Sequence, residues 1–188
     1  SLPNVFGTPL RPVGRLPNVV DLEGKVEREE SIGINKITDL SVKQILDLYT
    51  CTECGRCSDN CPAFITDKKL SPKHLTLALR DHLNASEKSM FGAGATSGNP
   101  GATEAAPAEG AEPKAPEVLH TNPKAPEGGY FVTDEVVEIV PNIIHADVIW
   151  ACTTCRACEE QCPVMISYVD KIVGMRREQM MIKGDFPH

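Results

Sequence analysis

The chain has 188 residues, of which only 5% are aromatic, so a large apolar core is excluded. Its formal net charge of −7 argues against nucleic acid as a partner, because phosphate binding requires a basic face. No stretch of 18 apolar residues occurs, so no segment is predicted to span a membrane, and no secretory signal is recognisable.

Residues 1–30 are predicted to form an irregular leader. Its four prolines forbid a continuous helix; they are Pro3, Pro9, Pro12 and Pro17. The apolar residues between them are expected to pack on another surface, while Arg11 and Arg15 form an isolated basic pair. Because the chain opens at Ser1 and not at Met, we expect a processed protein or a segment of a longer one.

Residues 31–91 are predicted to form the first half of a two-part domain. Residues 31–40 are expected to be a short strand or a docked loop. Ser41 and Gln44 then form a capping box, and the helix that they start runs directly into Cys51. The apolar face of this helix is predicted to comprise Ile45, Leu48 and Tyr49.

The same half contains the motif CTECGRCSDNCP at residues 51–62. It reads Cys-x2-Cys-x2-Cys-x3-Cys-Pro, the run with which bacterial proteins bind [4Fe–4S] clusters. Pro62 fixes φ directly after the fourth cysteine and turns the chain out of the loop. A second helix is predicted to start at Ser71 and Pro72, by the N-cap and first-position preferences. Its apolar stripe is predicted to comprise Leu75, Ala78, Leu79 and Leu83.

Residues 92–129 are dominated by glycine, alanine and proline. Such a segment cannot bury enough apolar surface to offset the entropy lost on ordering. We therefore predict a flexible insertion, which means that the two halves can be close in space although they are far apart in sequence.

Residues 130–188 are predicted to form the second half of the domain. Thr133 is expected to cap a helix that runs through DEVVEIV and stops near Pro141. A short helix over residues 144–150 then leads into residues 152–163, CTTCRACEEQCP, which repeat the first motif.

The longest helix is predicted over residues 166–183, with Gly184 at its end. Its buried face is predicted to comprise Ile166, Val169, Ile172, Val173 and Met180. Trp150 is expected to pack on the second motif loop. Met175, Met180 and Met181 are expected to fill the core, and Arg156, Arg176 and Arg177 to form a solvated face.

All eight cysteines lie in the two motifs, and they are the predicted ligands of two [4Fe–4S] clusters. In such runs the fourth cysteine commonly ligates the other cluster, so we predict crossed ligation. Cluster one would be held by Cys51, Cys54, Cys57 and Cys162. Cluster two would be held by Cys152, Cys155, Cys158 and Cys61. No catalytic residue is predicted.

Two other uses of the cysteines fit less well. Cysteines spaced two residues apart cannot all reach distant disulfide partners with good geometry. Structural zinc sites use two separated cysteine pairs with tetrahedral closure, whereas each motif here holds four cysteines. Oxygen-sensitive clusters without disulfides indicate a reducing compartment, either the cytoplasm or the cytoplasmic side of a membrane.

The order helix, four-cysteine loop, helix occurs twice. This pattern favours an all-α fold, an α-helical ferredoxin with two cluster loops, over the compact βαββαβ ferredoxin. Because the apolar core is small, cluster binding is expected to couple to folding.

Two strings carry a resemblance to a known family: ILDLYTCTECGRCSDNCPAFITDKKLSPKHLTLALRDHL and IWACTTCRACEEQCPVMISYVDKIVGMRR. They resemble the iron–sulfur segment of heterodisulfide-reductase-like membrane oxidoreductases, over residues 35–90 and 130–188. The resemblance is greatest to bacterial members proposed to pass electrons from electron-transfer flavoprotein to menaquinone. It implies a neighbouring membrane domain with b-type haem and quinone. Two departures stand out: Arg156 occupies a position where relatives often have glycine, and the insertion is long.

The resemblance implies an electron-relay module, and not a catalytic unit by itself, in a larger quinone-linked oxidoreductase. Its partners would be electron-transfer flavoprotein and an adjacent membrane quinone domain. An alternative is the iron–sulfur subunit of a flavin dehydrogenase of the glycolate, lactate or glycerol-phosphate type, whose partner would be a flavin subunit. A third interpretation is a structural metal-binding module without redox turnover.

Overall fold

A computed structural model describes residues 16, 19, 21–28, 31–91, 130, 131, 133 and 135–186. These residues are helical, with two isolated antiparallel bridges and no extended strand among them. The all-α prediction is therefore confirmed. Most of the predicted leader and the whole of the predicted insertion at 92–129 lie outside the described residues.

The described helices are short, and the order of the elements repeats around the two motifs. The α-helices are α1 (Leu22–Glu27), α2 (Val42–Thr50), α3 (Arg56–Asp59), α4 (Pro62–Ile65), α5 (Pro72–Ala85), α6 (Glu87–Phe91), α7 (Ile139–Asn142), α8 (Ala146–Trp150), α9 (Ala157–Glu160) and α10 (Val169–Glu178). A 3-10 turn covers Ile37–Asp39, and a π-helical turn, Gln179–Lys183, continues α10.

Helix α2 begins where the sequence predicts. The Ser41 hydroxyl accepts from the Gln44 backbone N–H, and the Gln44 side chain accepts from the Ser41 N–H at 2.9 Å, so both halves of the capping box are present. The predicted apolar face is wrong at Tyr49, which is 54% exposed and donates to Asn84 on α5 at 2.7 Å. Leu48 is fully buried, as predicted, and so is its charged neighbour, Asp47.

Helix α5 is capped by Ser71, with Pro72 in its first turn, as predicted. The predicted stripe faces the core, because Leu75, Ala78 and Leu79 are buried. Tyr130, which follows the undescribed segment 92–129, is also buried and donates its hydroxyl to the Ser71 carbonyl at 3.2 Å. The second half therefore packs against the start of α5.

The helix predicted through DEVVEIV is wrong. Val136 and Val137 lie outside any helix, and Glu138 forms an antiparallel bridge with Lys36. The N–H of Ile139 donates to the Asn35 carbonyl at 2.7 Å. The segment is thus bonded to a distant stretch of chain, and that tertiary pairing overrides its local helical pattern.

Helix α10 begins at Val169, three residues later than predicted, and Gly184 ends the π-helical turn with φ +65°, as predicted. Met180 is 41% exposed and Met181 52% exposed. The expectation that these two methionines fill the core is therefore wrong, although Met175 is buried. A π-turn changes the spacing of residues along the helix, so the 3.6-residue pattern no longer identifies the buried face here.

The segment before the 3-10 turn docks closely on α10. The N–H of Ile34 donates to the Gly174 carbonyl at 3.0 Å, and the Ser31 hydroxyl donates to Glu178 at 2.9 Å. A Cβ at Gly33 would lie 2.2 Å from the Gly174 carbonyl oxygen. Only glycine permits this approach without a shift of the backbone.

A buried ion pair joins the helix before the first motif to the helix after the second. The Nζ atom of Lys171 on α10 lies 2.9 Å from Asp47 on α2, and both side chains are fully buried. Asp47 also pairs with Lys43 and accepts the Ser167 N–H at 3.2 Å. Burial lowers the pKa of Lys171, while Asp47 opposes that shift.

We expect Lys171→Met to destabilise the domain by about 3–5 kcal/mol, because it leaves a buried carboxylate short of one partner. Anaerobic urea unfolding followed by circular dichroism measures this. The double variant Asp47→Leu, Lys171→Met should lose less than the sum of the two single variants, because no buried charge then lacks its partner.

Lys183→Met provides the matched control, because Lys183 pairs with Glu138 in a partly exposed bridge. That loss should be about 0–1 kcal/mol. A Lys171→Met variant no less stable than Lys183→Met would show that the buried pair does not hold the two halves together.

Candidate iron–sulfur centres

The first motif forms a tight loop between two short helices. Cys51 ends α2, and α3 begins directly after Gly55. The backbone is left-handed at Glu53, with φ +58°, and at Gly55, with φ +86°. Two such residues so close together fold the chain back on itself, so that the cysteines around them point into one loop. Cys61 then caps α4, whose first residue is proline, as predicted.

The second motif repeats this backbone. Its left-handed residues are Thr154, with φ +56°, and Arg156, with φ +61°, at the same two places relative to the first cysteine. Helix α9 follows, as α3 follows in the first motif. The sequence predicts the duplication of the cysteines but not that of the left-handed positions, since neither Glu53 nor Thr154 is a residue that favours this conformation.

Exposure differs among the cysteines in the same way in both motifs. The second cysteines, Cys54 and Cys155, are exposed, whereas the third cysteines, Cys57 and Cys158, are buried. Burial raises the pKa of the Cys57 and Cys158 thiols. Because a metal ligand must be a thiolate, binding at these positions would release protons and depend on pH.

Cysteines from both motifs line one cavity, which is open to solvent. Its lining includes Cys51, Cys54 and Cys57 of the first motif and Cys162 of the second. We call these four cysteines site one. The lining also includes Lys73, Ile166 and Tyr168. The fourth cysteine of the second motif therefore borders the same cavity as the first three cysteines of the first motif.

The other four cysteines also lie near one another. Burial raises the pKa of Cys152 most, and the proximity of Cys61 and Cys155 raises it further. Burial likewise dominates at Cys158, where Cys152 and Cys61 add to the increase. We call Cys152, Cys155, Cys158 and Cys61 site two. Cys57 also acts on Cys158, so the two sites are neighbours.

The donor set of site one fits an iron–sulfur cluster. Its four thiols border one open space, and thiolates are the ligands that hold such clusters. Four thiols around a cavity suit a [4Fe–4S] cubane, with one cysteine at each iron.

Arg156 stabilises the second loop from within. Its side chain is only 8% exposed, and it pairs with Glu159 and, at 3.0 Å, with Asp170 on α10. Glu159 also accepts the Val169 N–H at 2.9 Å. These bonds hold a non-glycine residue in the left-handed conformation. The prediction that Arg156 belongs to a solvated face is wrong, because its ion partners lie inside the fold.

Arg176 supports the same loop from the other side. It donates to the carbonyls of Ile149 and Cys152, the latter at 2.5 Å, and its guanidinium lies 5.0 Å from the centre of the Trp150 ring. The prediction of a solvated face is wrong for Arg176 as well. Its position depends on carbonyls that the motif alone does not reveal.

Tyr168 is a site residue that the sequence does not identify. It is buried to 1% exposure, packs with Cys57 and lines the same cavity as the four cysteines of site one. Burial raises its pKa, so the phenol keeps its proton and can donate. No spacing rule indicates it, because the tyrosine follows the second motif while its partner belongs to the first.

No helix among the described residues has the length and apolar character that crossing a membrane requires.

The comparisons with known proteins agree with these two sites. Residues 47–166 match the 4Fe-4S dicluster domain family. The chain is 39% identical, over 96% of its length, to the probable iron-sulfur-binding oxidoreductase FadF of Bacillus subtilis, of which it covers 24%. It is 37% identical, over 86% of its length, to the EtfAB:quinone oxidoreductase of Syntrophomonas wolfei, of which it covers 20%.

A third relative is the probable membrane-anchored ferredoxin of Chromohalobacter salexigens, with 31% identity over 86% of the chain and 21% of that protein. The chain thus spans about a fifth to a quarter of the length of these curated relatives. No solved structure matches it.

We expect Arg156→Ala to be less stable than Arg156→Gly by about 1–2 kcal/mol, because both lose the ion pairs but only alanine keeps the left-handed strain. Urea unfolding of the cluster-loaded protein measures the difference. Both variants should also be less stable than the parent, since Glu159 and Asp170 lose a buried partner. An alanine variant as stable as the glycine variant would show that the strain is not retained.

Proposed function

Because the chain belongs to the 4Fe-4S dicluster domain family, we propose that it relays electrons in a larger quinone-linked oxidoreductase. The donor would be electron-transfer flavoprotein, and the acceptor menaquinone. The observation that carries this proposal is the cavity of site one, lined by four cysteines from both motifs. Two clusters held side by side in one small domain serve electron transfer.

The names of the relatives support the proposed donor, acceptor and membrane association. The Syntrophomonas relative is named an EtfAB:quinone oxidoreductase, and the Bacillus relative an iron-sulfur-binding oxidoreductase. The Chromohalobacter relative is named a membrane-anchored ferredoxin. We propose that this domain likewise lies on the cytoplasmic side of a membrane, beside a domain that holds haem b and quinone.

We propose crossed ligation, with one cluster in site one and the other in site two. The lining of site one by Cys162 supports this assignment, as does the effect of Cys61 on the pKa of Cys152. In this arrangement residues 31–91 and 130–188 form one domain, because each half supplies one ligand to the other. Residues 1–30 would be a leader and residues 92–129 an insertion.

In this proposal the chain holds the clusters and controls their surroundings. The clusters supply one-electron transfer when bound, and the protein sets their potentials through burial and hydrogen bonds. The chain itself excludes water from the inner cysteines, Cys57 and Cys158, and leaves the outer ones, Cys54 and Cys155, exposed.

The purified domain should contain about eight iron and about eight sulfide per chain, and after dithionite reduction it should give interacting S = 1/2 EPR signals. Anaerobic iron and sulfide analysis with low-temperature EPR measures both. Zinc in place of iron, or no EPR signal on reduction, would instead place the protein among structural metal-binding modules.

Cys162→Ser should damage the cluster of the first motif, and Cys61→Ser the cluster of the second, because each residue is assigned to the other half's site. EPR with iron analysis of each variant follows which signal changes. Cys54→Ser and Cys155→Ser are the matched controls, since these residues are assigned to the site of their own motif. If Cys162→Ser gives the same altered signal as Cys155→Ser, ligation is not crossed.

A further inference from the structure

The surroundings of the two sites differ although the motifs are repeated. Six residues after its fourth cysteine the second motif has Tyr168, buried against Cys57 of site one. The corresponding residue of the first motif is Asp67, which is exposed. Site one therefore receives a phenol from the opposite half, and the repeat supplies no tyrosine at the corresponding position beside site two.

A second difference lies directly after the third cysteine of each motif. In the first motif this residue is Ser58, an uncharged side chain whose hydroxyl is hydrogen-bonded to that of Ser71 at 2.9 Å. In the second motif it is Glu159, a carboxylate whose charge acts on Cys158. Glu159 is balanced by Arg156, but that arginine is shared with Asp170, so this group of three side chains has a net negative charge.

Both differences widen the gap between the two reduction potentials in the same sense. Reduction adds negative charge to the cluster and its thiolates, so a hydroxyl that donates to a ligand sulfur stabilises the reduced form and raises the potential of site one. A nearby negative charge disfavours the reduced form and lowers the potential of site two. Cations lie beside both sites, Lys73 in the lining of site one and Arg176 against Cys152 of site two, so the asymmetry comes from the phenol and from Glu159.

We propose that Tyr168 is a redox-tuning residue: its phenol, which lies against Cys57 in the lining of site one, donates to a ligand thiolate of the bound cluster and raises that cluster's potential above that of site two. Site one is then the lower-energy position for a single electron. An electron that leaves a reduced cluster in site two enters the oxidised cluster in site one, and no bond breaks and no proton moves. This inference rests on the proposed function, because it assumes that both clusters are bound.

The test is an EPR-monitored redox titration of the cluster-loaded domain and of Tyr168→Phe. The site-one signal is the one that Cys54→Ser alters, and the site-two signal is the one that Cys155→Ser alters. In the parent, the site-one signal should appear first as the potential is lowered. In Tyr168→Phe the site-one signal should appear at lower potential, while the site-two signal should keep its midpoint. Unchanged midpoints for both signals, with full iron content, would overturn the role of Tyr168.

Tyr130→Phe is the matched control. Tyr130 is likewise buried, but its hydroxyl donates to the Ser71 carbonyl and not to a cysteine. Removing that hydroxyl should lower stability and leave the site-one potential in place. If Tyr130→Phe moves the site-one midpoint as far as Tyr168→Phe does, the shift reflects loosened packing and the proposal is wrong.

A second measurement applies even if Tyr168→Phe fails to retain its clusters. The chain has only three tyrosines, so growth on 3-fluorotyrosine labels few positions and removes no side chain. Fluorination makes the phenol a stronger donor, so the site-one midpoint should rise. No rise in the labelled parent would contradict the proposal. Absence of iron from the unlabelled parent would instead contradict the proposed function, so the two failures are distinguishable.

Discussion

The two halves of this domain depend on a buried ion pair, Asp47 with Lys171. Asp47 lies on the helix that leads into the first motif, and Lys171 on the helix that follows the second. Separating the two helices would leave Lys171 buried without this carboxylate, which is costly. We therefore expect the pair to favour one placement of the two motif loops, which no continuous sheet or long helix joins among the described residues.

Local signals in the sequence predict the parts of the fold that depend on local chemistry. The caps at Ser41 and Ser71 and the helix end at Gly184 are present as predicted, because capping bonds join residues only a few positions apart. The helix through DEVVEIV is absent because Ile139 bonds to Asn35, about a hundred residues earlier in the chain. A prediction from neighbouring residues cannot include a partner so far away in the chain.

The candidate site divides in the same way. All eight cysteines are identified by their spacing, and so is their division between two loops. The residues that support the cysteines are not identified from the sequence. An arginine such as Arg156 is usually exposed, and only the fold shows that Glu159 and Asp170 surround it. Tyr168 is not identified for a related reason: it packs against a cysteine in the other half. The motif identifies the ligands, whereas the residues around the ligands are brought there by the tertiary fold.

Duplication of a motif produces two similar sites, but a relay needs two different ones. If both clusters had equal potentials, an electron would be shared between them without a preferred position. Cys57 and Cys158 are buried and close enough for one to act on the other, whereas Cys54 and Cys155 are exposed. In the proposed relay the two clusters thus form a short series, each with one exposed cysteine. The side chains that break the symmetry, Tyr168 above all, then give the series a direction that the repeated cysteines alone cannot provide.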